Sequence, residues 1–272
     1  MIEESMITNV LFFKYNLWMK EYAFRMDRWL KGEKMGPVRI DAELHKRCNL
    51  NCTVCSRRAS NQEDSKNIEL SKEKWVNIAK ESSELGVKYW NIAGVSEPMC
   101  RPDTTLSVME MIKACDMFGE LTTNGTLWKD QDIKKAVKIG WDNLCISIDA
   151  PDAKIHDKLR GVRGTFKKAT STAKSFNSWK NKLNSEDPSL TLNVVLNKLN
   201  YRYLPNMIKL ANELGAQALF VEPMIVYTKA GEKLKLEKQE ILELPNIIAQ
   251  TKDLGKKYGV LPTITCIDED KK

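Results

Sequence analysis

The sequence predicts an α/β fold, a partial TIM-type (β/α)6 barrel with an N-terminal helical extension, and three observations carry that prediction. From Val38 onward, short apolar runs rich in β-branched residues alternate with helix-length segments. The chain's 272 residues are enough to bury one large core, and α/β barrels of this size commonly form a single domain. The chemically unusual segments each follow directly on a run read as a strand, which is where parallel barrels gather their functional groups.

Taken in order, the pattern from about Thr8 to Lys31 is helical and stands outside the alternation, so residues 1–36 are read as an extension and 37–272 as the core. In that helix Leu11, Tyr15, Trp18, Met19, Tyr22, Met26, Trp29 and Leu30 recur at three- and four-residue steps, while Lys14, Glu21, Arg25 and Arg28 share the other side. The apolar face is expected to pack on the barrel's outer helices. The alternative is peripheral membrane contact through residues 8–31, with the basic side toward headgroups. Phe13, Leu17 and Phe24 form a second strip that one packing surface does not use.

The first strand is expected over Val38–Leu44, and the loop after it reads RCNLNCTVCSRR. Lys88–Ile92 leads into AGVSEP, Gly119–Thr123 closes in TNG, and Asn143–Ile148 runs into SIDAPD. Asn181–Pro188 reads as a loop before the fifth strand, Leu190–Leu196, which ends in LNKLN. Ala218–Glu222 ends in VEP, and a short last strand is expected at Val260–Thr265. Parallel strands need crossover helices, and right-handed crossovers stack them side by side into a curved sheet wrapped by helices.

Composition narrows the class. The chain is 42% hydrophobic and 29% charged, and no stretch approaches the roughly 20 apolar residues that a membrane span needs. Its net charge of +7 is spread through predicted helices without a basic run or a nucleic-acid motif, so it reads as a solvated surface. Seven cysteines, three of them clustered, do not make the even framework of a small secreted domain. With no basic, cleavable N-terminal signal evident, a reducing cytoplasm is the expected setting.

Cys48, Cys52 and Cys55 stand at C-x3-C-x2-C. A structural zinc site needs four ligands, and no second cysteine pair exists; only His45 is near enough to serve as the fourth. A [4Fe–4S] cubane takes one thiolate per iron, so three cysteines would leave one iron open to a small molecule. Cys100, Cys115 and Cys145 read as buried structural residues, and Cys266 alone could not hold an auxiliary cluster.

This motif after the first strand of a (β/α)6 pattern resembles the radical S-adenosylmethionine (radical SAM) superfamily, in particular the core domain of its SPASM/twitch-like members, over roughly Val38 to Met224. The resemblance implies a [4Fe–4S] cluster on Cys48, Cys52 and Cys55, with SAM chelating the fourth iron. It places Ser96, Glu97 and nearby carbonyls against the SAM amino group, and Ser147 with Arg160 on its carboxylate, Arg163 being the alternative. Asn124 lies on the same rim, Asn197 matches a ribose-binding Asn, and Val221 a position flanking adenine. Val54 stands where the family often has an aromatic residue, and Val95 and Ser96 replace usual glycines.

The implied activity is reductive cleavage of SAM to a 5′-deoxyadenosyl radical that abstracts hydrogen from a substrate. The electron would come from a donor such as ferredoxin or flavodoxin. Peptide, lipid or isoprenoid, and other small-molecule substrates all stay open, as does a chain that is the core of a longer protein. A non-enzymatic metal- or RNA-binding protein would leave the motifs after strands two, four and five unexplained.

Overall fold

The computed structural model describes residues 19–58 and 69–265. Seven strands, β1 (Arg39–Ala42), β2 (Tyr89–Ile92), β3 (Phe118–Thr123), β4 (Asn143–Ser147), β5 (Ser189–Leu196), β6 (Ala218–Pro223) and β7 (Leu261–Ile264), form one sheet. Their spatial order is their order in sequence and every neighbouring pair is parallel. No pairing among the described residues joins β7 back to β1, so the barrel is open.

The helices are α1 (residues 19–30), α2 (Lys72–Glu84), α3 (Pro102–Ala114), α4 (Asp130–Lys138), α5 (Ala153–Arg160), α6 (Thr165–Leu183), α7 (Leu204–Glu213), α8 (Lys229–Glu232) and α9 (Lys238–Tyr258). Local chemistry sets several ends. Ser71 caps α2 by accepting from Lys74 N, and Asp152 caps α5 by accepting from Ile155 N. Helix α6 takes Asn181, Lys182 and Leu183 from the expected loop, because its end is set only at Asn184, a left-handed cap.

Strand alternation sorts the side chains into two environments. One set, including Trp90, Leu121, Leu144, Ile146, Leu192, Leu219 and Val221, packs against the helices in a continuous hydrophobic core. The other set faces the barrel interior and is largely polar: Asp41 bonds Asn91, and Asn143 bonds Glu120 and the Cys145 thiol. Strand β4 is buried throughout, as a central parallel strand covered on both faces should be.

The N-terminal helix departs from expectation. Of the predicted Thr8–Lys31 stretch, residues 8–18 lie outside the described residues. In α1 it is the polar side that meets the domain: Arg25 donates to the carbonyls of Gly36, Pro37 and Gly86, and Glu21 holds its guanidinium at 2.6 Å. The apolar side chains are turned out, with Trp29 61% and Leu30 76% exposed. Three carbonyl acceptors hold the polar side of α1 against the domain. Among the described residues no helix is long and apolar enough to cross a membrane.

Candidate active site

The cysteine loop lies on the rim at the C-terminal ends of the strands and is fastened from four sides. From the loop after β2, Glu97 N donates to Arg47 O at 2.8 Å. From the loop after β3, Asn124 Nδ2 donates to Asn49 Oδ1, and Thr126 Oγ1 accepts from Asn49 Nδ2. The last turn of α5 offers two carbonyls: Asn51 N donates to Arg160 O at 3.3 Å and Thr53 N to Leu159 O at 2.8 Å. Thr228, after β6, donates its hydroxyl to Thr53 O. The helix's orphan carbonyls are thereby satisfied by the loop they hold.

This docking depends on Gly161, whose φ of +70° ends α5 and whose added Cβ would lie 2.1 Å from Asn51 O. Gly161→Ala is expected to cost about 2 kcal/mol or more from left-handed strain plus displacement of the loop. Denaturant unfolding together with iron bound per chain checks both halves.

Cys48, Cys52 and Cys55 are free and partly buried. Burial pushes the Cys48 and Cys52 thiols up, and at Cys52 the Arg160 charge opposes that rise. No three His, Cys, Asp or Glu side chains among the described residues converge as a single-ion site. His45 is consumed by backbone, its Nδ1 accepting from Arg47 N and its Nε2 facing Pro98 O at 3.2 Å. Zinc with His45 as fourth ligand therefore does not fit. Three separate thiols on one short loop do fit a cubane, which takes each sulfur at a different iron. Cys100 shares the neighbourhood of Cys48, but burial first, then the Glu97 charge, raise its thiol to about 11.

The remaining sequence-predicted residues divide. Glu97 is 1% exposed and its carboxylate accepts from Met99 N, Thr123 Oγ1 and Asn124 N. Burial raises its pKa against those three bonds, and the group braces two rim loops. Asn124 is also bonded within the rim, its Oδ1 accepting from Thr126 N and Oγ1. Asn197 turns into its own loop: its Nδ2 donates to Val195 O and its Oδ1 accepts from Leu199 N. Val221 points into the helix-side core, and its carbonyl accepts from Thr265 N and Oγ1. Ser147 ends β4 on the interior face, paired in register with Asn193. Ser96 and Val54 are partly exposed on the rim.

Arg160 stands beside Cys52, with Nε 2.7 Å from Asp149 Oδ2. Burial alone would lower its pKa; the Asp149 charge and the Cys52 sulfur outweigh it and hold the guanidinium protonated. Asp149, not singled out in the sequence, is the hub here. Its Oδ1 accepts from Val195 N, its carbonyl from Asn200 Nδ2, and its N–H donates to His156 Nδ1. Its position two residues beyond Ser147 on the same strand face was the available signal.

That bond makes His156 Nδ1 an acceptor and so fixes the neutral ring. Burial, then the Arg160 charge, lowers its pKa from 6.5 to about 4. A depressed pKa means the stabilisation is whole above pH 6.5 and drains as pH falls toward 4. Stability should fall by about 2 kcal/mol between pH 6.5 and 5 from this ring, and His156→Gln should flatten that part of the pH profile in thermal or denaturant melts.

Residues 43–211 match the Radical SAM superfamily. The chain belongs to the radical SAM superfamily. It is 32% identical over 186 residues to the PqqA peptide cyclase of Methylocella silvestris, covering 67% of this chain and 46% of that one. It is 30% identical over 188 residues to the AdoMet-dependent heme synthase of Methanosarcina barkeri, covering 68% and 50%. The chain thus spans about half the length of these curated relatives. The radical SAM fold also matches Streptococcus suis SuiB bound to S-adenosylmethionine, with a TM-score of 0.72 at 19% identity, covering 90% of this chain and 54% of SuiB. The family uses a [4Fe–4S] cluster and SAM, and the open parallel barrel agrees with the fold expected from sequence.

Proposed function

We propose that this chain is the catalytic core of a radical SAM enzyme that reductively cleaves SAM and modifies a peptide or protein substrate. The observation that carries it is the loop bearing the free thiols of Cys48, Cys52 and Cys55, fastened to the rim by backbone bonds that need no metal. When bound, the cluster and SAM supply one-electron cleavage of the sulfonium and hydrogen-atom abstraction. The protein supplies position. Arg160, held by Asp149, offers its fork to the SAM carboxylate beside Ser147. The carbonyls after β2 accept from the SAM amino group, and Asn49 with Asn124 keeps the loop from shifting.

A peptide substrate is favoured by the relative named a PqqA peptide cyclase and by SuiB, also solved with its precursor peptide SuiA. A cytoplasmic setting and a ferredoxin- or flavodoxin-type donor belong to this reading. The test is anaerobic reconstitution followed by dithionite and SAM. Methionine and 5′-deoxyadenosine in equal amounts are expected, and a reconstituted protein that yields neither refutes the proposal. The outward Tyr22, Met26, Trp29 and Leu30 of α1 favour a second, separate reading, membrane-surface contact through residues 8–31. Equal liposome flotation with and without residues 1–34 would remove it.

A further inference from the structure

We infer that the barrel interior binds a cationic, N–H-rich group of the substrate, an ammonium or guanidinium. The inference rests on the enzymatic reading above and names the substrate chemistry of that same site. Three asparagines on the inner face each donate their amide nitrogen to a carboxylate of an adjacent strand. Asn91 reaches Asp41 at 2.8 Å, Asn143 reaches Glu120 at 2.6 Å, and Asn193 reaches Glu222 at 3.2 Å. A carboxylate only accepts, so each pair fixes the amide nitrogen toward the acid and turns the amide oxygen away from it.

The Asn143 oxygen is met by the hydroxyls of Ser189 and Thr191. The oxygens of Asn91 and Asn193 are buried, and no donor among the described residues reaches them. Buried polar oxygens in folded proteins are nearly always paired, so two such acceptors on one face mark donors that a ligand brings. The charge agrees. Asp41 is bonded by Nε and Nη2 of Arg39, whose guanidinium lies 4.9 Å from the Tyr89 ring centre, and Asp149 is paired with Arg160, whereas no ion pair among the described residues reaches Glu120 or Glu222. Carboxylates without a cation partner are a local arrangement inside a chain of net charge +7, and they would repel an entering carboxylate or phosphate.

The cysteine loop sits on the rim above this face, so a side chain anchored by its cationic end would leave its preceding carbons toward the rim. The test titrates the SAM-loaded, reconstituted protein with Nα-acetyl N-methylamides of lysine, arginine, norleucine and glutamate, followed by calorimetry. Lysine or arginine should bind at least about tenfold tighter than norleucine and glutamate, the effect of one charge-assisted hydrogen bond. Asn91→Ala and Asn193→Ala should erase that preference and leave SAM affinity unchanged. No preference for the cations in the unmutated protein overturns the inference, and needs no variant to fold. Loss of SAM affinity with the cation preference intact also overturns it, since the orphan oxygens would then serve SAM. Absence of SAM cleavage refutes the enzymatic reading instead, and the same titration run without SAM separates the two failures.

Discussion

Replacing Cys52 by alanine is expected to leave a folded protein that holds no [4Fe–4S] cluster and cleaves no SAM. The reasoning separates fold from function. The loop around Cys52 is held by Asn51 N to Arg160 O, Thr53 N to Leu159 O and Thr228 Oγ1 to Thr53 O, none of which uses the sulfur. The sulfur also meets the Arg160 guanidinium, which keeps Asp149 when the thiol is removed, so stability should change by about 1 kcal/mol. A cubane deprived of one of three protein ligands loses its seat entirely. Cys48→Ala and Cys55→Ala should behave alike. Iron and sulfide per chain, visible absorbance and dithionite-driven SAM cleavage measure the loss, with denaturant unfolding as the control. Full iron content and cleavage in any of the three variants would contradict the assignment.

Much of the architecture was readable because a parallel strand announces itself twice, by its apolar run and by the odd loop that follows it. The β3, β4 and β5 boundaries differ by one residue at most at either end, since alternate positions of each strand must be apolar to pack on the helices. What sequence could not supply was direction. Position along the chain does not reveal that the turn after β5 bends Asn197 onto its own backbone, or that the pleat sends Val221 to the helix side. Glu97 was legible as important, but its three protein donors became visible only once the β2 and β3 loops were side by side. The outward apolar face of α1 depends on carbonyls of Gly36, Pro37 and Gly86, brought together only by the fold.

Arg160→Met should be the most damaging single change away from the cysteines, and its damage should fall on stability and SAM rather than on the cluster. The Asp149 side chain is only 4% exposed and Arg160 13%, so removing the guanidinium strands a buried carboxylate. Breaking one side of such a pair costs about 3–5 kcal/mol. Asp149→Asn should cost less, because the guanidinium keeps the Cys52 sulfur as a partner. The double variant should be more stable than Arg160→Met alone, since no charge is left unpaired, and a double-mutant cycle in denaturant reads that coupling. The loop's bond to Arg160 is made to its carbonyl, which methionine retains, so iron content should stay close to that of the unmutated protein. SAM affinity should instead weaken by about 10- to 100-fold, the loss of a charge-assisted fork on a carboxylate. Arg160→Lys, which keeps charge but not the fork, should fall between. Loss of iron in step with loss of SAM binding would mean that Arg160 serves the loop and not the carboxylate.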